Sequence, residues 1–402
     1  MSTDKKTHGM DGTLVEADWP PLTLADARNL LKEFPARGEA FKILSVSPRP
    51  FSAASVVSTS AGRVFIKRQA RTVRDREGLL EEHRFMNHLR AHGAPVPEVF
   101  ATANGETAIE LGDWSYEAHE VPVGVDLYEN ALSWTPFRST AHARSAGETL
   151  ARMHLAAEGF DAPRRKPRPL VASFTIFADS NPAIAIANYL SARPALSENA
   201  LVRESCNEAL DLLAIFHAEL KPFLHALKPL WTHNDLHASN LLWSNASNDA
   251  HAVAIIDFGL ADRTNAVHDL AQAIERNIVE WLEIKQGSGI RDQGSESAVT
   301  CAANIPIHFD QLNALLDGYE SARPLSEDEA ASLAPMTALC HAEFALTEAD
   351  YFLSVLHSEK NARVCMKDYL VGHARWFRGA GGEKLLDAIR RWTEQRLRVE
   401  VQ

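Results

Sequence analysis

Apolar residues recur at helical spacing from Leu22 to Phe34, and at about Phe41 the pattern changes. Phe41–Val46, Ala54–Thr59 and Arg63–Lys67 are short runs rich in β-formers, joined by Pro48–Ser52 and by Ser60-Ala61-Gly62. They predict strands separated by turns. A helix is expected next, with Leu79, Leu80, Phe85, Met86 and Leu89 on one side and Gly93 at its close. Pro95-Val96-Pro97 leads into two further strands, Thr107–Leu111 and Ser115–Val121. Beyond Pro122 helical spacing dominates: Thr135–Glu158, Ala183–Leu190, Asn199–Leu227, Ala266–Ile284, His308–Glu320, then two long segments, Ser326–His357 and Asn361–Trp392. Within that region Leu241–Trp243 and Ala252–Ile256 flank the polar Ser244–Asp249, which reads as strand, turn and strand. The pattern predicts an α+β chain: a flexible leader over residues 1–20, an antiparallel-sheet lobe with one helix over 21–121, and a mainly helical lobe over 122–402. A ligand would be enclosed between the lobes. Gln286–Glu296, rich in Gly, Ser and charge, is expected to be a mobile loop.

Composition narrows the class. The chain is 46% hydrophobic and 23% charged, ordinary for a globular protein, and its first eighteen residues are polar. No apolar run has the length of a membrane span, so a cytoplasmic protein without membrane contact is expected. The net charge of −12 argues against a nucleic-acid partner and is compatible with a cationic substrate. Cys206, Cys301, Cys340 and Cys365 lack CxxC spacing and read as isolated thiols. Oligomeric state leaves no mark on the sequence.

The chemistry is concentrated in His233-Asn234-Asp235-Leu236-His237-Ala238-Ser239-Asn240, followed by Ile255-Ile256-Asp257-Phe258-Gly259. One carboxylate stands with no cation near it in sequence; an amide and a second carboxylate sit at the two ends of a short hairpin. Phosphoryl transfer from a magnesium nucleotide needs such a set: a group to receive the hydroxyl proton and oxygen ligands for the metal. The order H-x-D-x-x-x-x-N then D-F-G is that of protein kinases. Lys67 ends the apolar Val64-Phe65-Ile66 run and would hold the phosphates, with a carboxylate on the next helix to fix it; Glu82 is the choice over its neighbour Glu81. A competing reading makes His233, Asp235 and His237 an H-x-D-x-H metal cluster, which leaves Asn240 and Asp257 unused. Glu120 and Val121, at the lobe junction, are the expected hinge that meets a purine edge.

These residues together resemble the aminoglycoside phosphotransferase and choline kinase superfamily, the small-molecule branch of the kinase fold. The resemblance covers about residues 40–290 and rests on Phe65-Ile66-Lys67, Glu82 with Gly93-Ala94-Pro95-Val96-Pro97, Gly124-Val125-Asp126-Leu127 and Gly147 to His154. It continues through the HNDLHASN loop, IIDFG and His268-Asp269-Leu270-Ala271. Asn234 stands where the family usually has Gly. The resemblance implies a bilobal protein-kinase-like fold and roles for particular residues. Asp235 would orient and deprotonate the acceptor hydroxyl, Asn240 and Asp257 would ligate Mg2+, Lys67 would hold ATP phosphates and Glu82 would anchor Lys67. His233 and Asp269 would support the catalytic loop. The Ser47–Ser55 loop has no glycine, so Ser52 or Ser55 would contact phosphate instead, and GTP stays open as donor.

The acceptor is less legible. Glu343, Thr347, Glu348 and Asp350, with Glu320, Glu327 and Asp328, make the C-terminal helices acidic. In a cleft they would suit an amine-bearing alcohol: an aminoglycoside-like antibiotic, an amino alcohol or a hydroxy amino acid. An ordinary solvated face would give the same pattern. Tyr351, Phe352, Phe344 and Trp376 would line an apolar wall or pack in the core. Beside a small-molecule O-kinase stand two alternatives: a bacterial protein Ser/Thr kinase, which Glu81-Glu82-His83-Arg84-Phe85 faintly resembles, and a nucleotide-binding pseudokinase regulator.

Overall fold

The computed structural model describes residues 6–8, 14–281 and 305–399; the expected mobile loop Gln286–Glu296, Cys301 and the end of the helix expected to reach Ile284 lie outside them. The leader is not featureless. Lys6–His8 (β1) pairs antiparallel with Leu14–Glu16 (β2), and beyond this hairpin Trp19 packs edge-on against Trp114 while its indole N–H donates to Tyr351 Oη at 3.1 Å. Such anchoring to both lobes is invisible to composition, because the partners lie far along the chain.

Helix α1 (Leu24–Leu31) opens with a capping box of Thr23 and Asp26. The strands β3 (Ala40–Val46), β4 (Ala53–Thr59), β5 (Gly62–Ala70), β6 (Ala108–Leu111) and β7 (Trp114–Glu120) form one antiparallel sheet in the order β3-β4-β5-β7-β6. Their register sorts side chains to two faces. Ser55, Ile66 and Ala118 are cross-strand neighbours on one face; Val57, Ile66 and Ala118 there join a small core with Leu30 and Phe34. Lys67 and Glu117, directly opposed, lie on the other face, which meets α2 (Arg76–Ala91).

The helical lobe follows the predicted order with shorter elements, each for a local reason. Ser139 caps the N–H of His142, so α3 runs Thr140–Ala157 rather than from Thr135. The helix after α4 (Pro182–Ser191) and α5 (Pro194–Glu198) is α6, Ala200–Leu220, which stops where Pro222 removes a donor. After α7 (Ala266–Ile278) and α8 (Phe309–Ala322), the first long segment divides into α9 (Glu327–Leu339), α10 (His341–Asp350) and a π turn, Tyr351–Val355. The second becomes Glu359–Arg363, a π segment Val364–Val371, Gly372–Phe377 and, beyond Gly379, Ala380–Val399. Two short antiparallel pairs complete this region: β8 (Pro229–Thr232) with β11 (Asp262–Asn265), and the hairpin of β9 (Leu241–Trp243) with β10 (Ala252–Ile255).

The helices α3 and α8 cross where glycine faces backbone. A Cβ on Gly147 would lie 2.0 Å from the Leu315 carbonyl oxygen, and one on Gly318 would lie 2.0 Å from that of Arg144. Gly147→Ala should therefore cost about 3 kcal/mol through overpacking of a helix pair that cannot separate without opening the core. Chemical denaturation measures this; an unchanged midpoint would mean that the helices part freely.

Candidate active site

The loop after β8 is built around a buried carboxylate. Asn234 takes a left-handed backbone (φ 60°), which Asn tolerates better than most other side chains. Its side chain is tied down: Oδ1 accepts Thr232 Oγ1 at 2.8 Å and Thr264 Oγ1 at 3.1 Å, and Nδ2 donates to the Leu260 carbonyl at 3.2 Å. Asp269, on α7, accepts the backbone N–H of His233 (3.0 Å) and of Asn234 (2.8 Å) with its two oxygens. His154, kept neutral as burial lowers its pKa, donates to the same carboxylate at 3.0 Å and pairs through Nδ1 with Tyr319 Oη at 2.7 Å. His233 donates to the Ile256 carbonyl at 3.0 Å and stacks edge-on against Phe258. That position is structural, and His233, Asp235 and His237 do not converge as a metal cluster.

Asp235 emerges from this loop beside Asn240, whose Nδ2 donates to its Oδ2 at 3.2 Å and to its backbone carbonyl at 2.9 Å. The partner that sequence reasoning missed is Arg276 on α7, which donates to an Asp235 carboxylate oxygen and, at 2.8 Å, to the Asn234 carbonyl. Arg276 lies two helical turns beyond Asp269, so both side chains leave one face of α7 toward the loop. Burial acts to raise the Asp235 carboxyl, but the Arg276 guanidinium and His237 outweigh it and hold it at about 2.

Asp257 stands at the far end of the β9–β10 hairpin, with its φ at 64°. The Ile256 N–H bonds the Asn240 carbonyl at 3.0 Å, which brings the two residues together. Lys67 Nζ reaches Asp257 Oδ1 at 2.8 Å across the lobe junction. Burial works against the Lys67 ammonium, but Asp257, Glu117 and Glu82 more than compensate and raise its pKa. The Asp257 side chain stays 40% exposed, so it still presents carboxylate to the cleft; the Asn240 amide nitrogen is committed to Asp235, leaving Oδ1. Two oxygens of hard character on a pinned hairpin fit a magnesium-type cation.

Glu82 does not anchor Lys67. Its carboxylate is taken by two buried guanidiniums, Arg74 (2.9 Å) and Arg165 (2.9 Å). Both arginines also donate to the Gly259 carbonyl, at 2.7 and 3.1 Å, so Glu82 ties α2 to the Asp257–Gly259 loop instead. Glu81 contacts Arg165 at 3.2 Å. Ser55 also departs from expectation, because the register turns it to the Ile66 face, away from Lys67. Ser52 lines a groove with Arg49, Ser47 and Trp19. Arg49 reaches Ser133 Oγ at 2.9 Å, so this glycine-free loop is latched to the helical lobe. Glu120 spends its N–H on the Glu98 carbonyl and its carboxylate on Arg90, while Val121 follows the end of β7.

The expected acceptor residues separate. Glu343 accepts the Ile176 N–H at 2.6 Å and Thr175 Oγ1 at 2.9 Å, Thr347 accepts the Val171 N–H at 3.1 Å, and Asp350 lies 3.7 Å from Arg193. These carboxylates and hydroxyl hold the Arg168–Ile176 stretch and α5 rather than facing a ligand. Glu320 binds Arg396 and the Leu325 N–H, and Glu327 is exposed in the first turn of α9. Glu348 differs: it has no ion-pair partner among the described residues, its nearest polar contact is Cys365 Sγ at 4.0 Å, and burial pushes its carboxyl up to about 8. Phe344 joins Trp134 and Tyr369 in an aromatic cup, with Arg276 4.4 Å over the Phe344 ring. Tyr351 and Phe352 instead receive Phe51, and Trp376 packs on Trp281. Trp134 is not marked in the sequence as a partner of Phe344 and Tyr369, because nothing local distinguishes a loop tryptophan that packs against distant rings.

Residues 50–300, more than half of the chain, match the phosphotransferase enzyme family. A homoserine kinase of Burkholderia thailandensis is 28% identical over 61% of this chain, and one of Burkholderia cenocepacia is 26% identical over the same share. The chain spans 61% of the length of these relatives. A microcompartment-associated aminopropanol kinase shares the fold with a TM-score of 0.57 at 14% identity, covering 92% of this chain and all of that one. An amicoumacin kinase in complex with AMP-PNP and Ca2+ does so with a TM-score of 0.53 at 13% identity, covering 87% and 95%. No described helix is long and apolar enough to cross a membrane. With its antiparallel-sheet region, its helical region and this match, the chain belongs to the phosphotransferase enzyme family and has a kinase-like fold.

Proposed function

We propose that the chain transfers the γ-phosphoryl group of cytoplasmic Mg-ATP to the hydroxyl of a small amine-bearing acceptor. The observation that carries the reading is the grouping of a buried, ionised Asp235 with Asn240 and a half-exposed Asp257 that already holds Lys67. A bound magnesium ion would supply charge neutralisation on the phosphate oxygens, with Asn240 Oδ1 and the Asp257 carboxylate as its protein ligands. Lys67 would then stabilise the charge that spreads over the transferred group in a loose transition state. Held at about 2, the Asp235 carboxylate is a weak base, so its main work is to align the acceptor hydroxyl and to receive the proton late. Arg276 and the Asp269 brace hold Asp235 in place for that task. Arg49, whose guanidinium feels the charges of Asp257 and Asp235, lies where it would meet the nucleotide phosphates beside Ser52.

The acceptor reading rests on Glu348, a buried carboxylate without a cation of its own, near the aromatic cup of Trp134, Phe344 and Tyr369. An ammonium group would neutralise it, and the named relatives include kinases of homoserine and aminopropanol, both amino alcohols. An ADP-release screen over amino alcohols, hydroxy amino acids and aminoglycosides, with ATP and GTP as donors, tests both halves. Turnover with uncharged alcohols alone would overturn the acceptor class.

Asp235→Asn and Asp257→Ala should each lower kcat by about a thousandfold or more with the thermal midpoint preserved. Wild-type-like turnover in either would remove the assignment. Glu348→Gln should raise the acceptor KM about tenfold while leaving the nucleotide KM in place. Because burial raises the Glu348 carboxyl to about 8, the carboxylate forms only as pH climbs through that value. The wild-type acceptor KM should therefore fall between pH 7 and 9, and the fall should be absent in Glu348→Gln; parallel profiles would exclude Glu348.

A further inference from the structure

We propose that His83, Glu117 and His119 form a second cation site, separate from the Asn240–Asp257 pair, that takes a borderline-soft divalent ion such as Zn2+. His83 projects from α2, and Glu117 and His119, two apart on β7, share the face of the sheet that α2 covers. The His83 Nε2 lies 2.8 Å and the His119 Nε2 2.9 Å from the same oxygen, Glu117 Oε2. All three ligand atoms lie within 4.8 Å of one another, and no other group of this kind occurs among the described residues. Tetrahedral coordination at ordinary zinc–ligand lengths separates ligand atoms by about 3.3 Å, so each imidazole nitrogen would move from the shared Glu117 oxygen by only a few tenths of an ångström to accept an ion.

Two further observations separate this arrangement from a plain hydrogen-bonded network. His83 Nδ1 pairs with Thr107 Oγ1 at 2.8 Å, the outer contact that orients a metal-binding imidazole and commits its second nitrogen to the ion. The His119 Nε2 is buried 2.9 Å from the Glu117 carboxylate yet has no well-formed hydrogen bond. A buried ring nitrogen left without a bond costs free energy. An ion placed between the three atoms would satisfy it.

The ligand chemistry sets the two sites apart. Asn240 and Asp257 offer only oxygen, which suits magnesium, whereas two imidazoles with one carboxylate favour zinc or its cobalt and nickel analogues. His119, at 8% the most exposed of the three, lies beside Phe65, the direction from which an ion would enter. Glu117 is also the cross-strand neighbour of Lys67, so an ion here would draw on a carboxylate whose charge supports that lysine.

The test uses the full chain stripped of metal and titrated with Co2+, followed by displacement with Zn2+, in the absence of nucleotide and acceptor. One equivalent of Co2+ should bind with the visible absorption of a four- or five-coordinate ion and be displaced by Zn2+. His83→Gln and His119→Gln should each abolish that spectrum, and Thr107→Val should weaken binding about tenfold or more. Circular dichroism and a metal-free thermal melt establish that each variant is folded. A wild-type chain that binds no stoichiometric cobalt, or folded histidine variants that keep the spectrum, would overturn the proposal. The readout requires no turnover, so it stands or falls apart from the kinase reading.

Discussion

The geometry of the candidate site depends on one buried anion, Asp269. No lysine or arginine pairs with it among the described residues; two consecutive backbone N–H groups and a neutral histidine stabilise it instead. Hydrogen bonds to the ionised form keep its pKa low despite full burial. Because both oxygens are spent on adjacent amides, the chain between β8 and Leu241 has little freedom, and Asn234 is held in a left-handed backbone at the apex. Asp235, Asn240 and, through the hairpin, Asp257 take their positions from that constraint.

Electrostatics around this frame is organised by arginines rather than by the lysine–glutamate pair expected from motif reasoning. Arg276 pairs with Asp235, and Arg74 and Arg165 jointly take Glu82 and the Gly259 carbonyl. A planar guanidinium with five donors can bridge a carboxylate and a main-chain carbonyl at once, which an ammonium does less well. Glu82 consequently joins α2 to the Asp257–Gly259 loop, and Lys67 turns to Asp257. The two lobes are thus connected by charge at the site itself, besides the aromatic contacts of Trp19 and Phe51 with the C-terminal helices.

That connection bears on the loop without glycines. In place of a flexible phosphate-gripping turn, Ser47–Ser52 is latched by Arg49 to Ser133 and by Phe51 to Tyr351 and Phe352. The guanidinium and aromatic contacts restrict such a loop more than glycine would, so the covering of the cleft is built from cross-lobe packing.

The order of strands and helices and the family-matching motifs of the Asp235 and Asp257 loops were legible in the sequence because each is a local pattern: alternation, helical spacing, or a motif within ten residues. Element ends were less so, since caps such as Ser139 and breakers such as Pro222 decide them one residue at a time. Which carboxylate meets which cation was settled only by the tertiary structure. Glu82 and Glu343 look like functional acids in sequence and turn out to be structural partners, whereas Glu348, five residues beyond Glu343, has no ion-pair partner among the described residues and burial raises its carboxyl to about 8. Local pattern fixes which way a side chain leaves its own helix or strand; the burial that makes a charge costly and the partner that relieves it come from segments a hundred or more residues away.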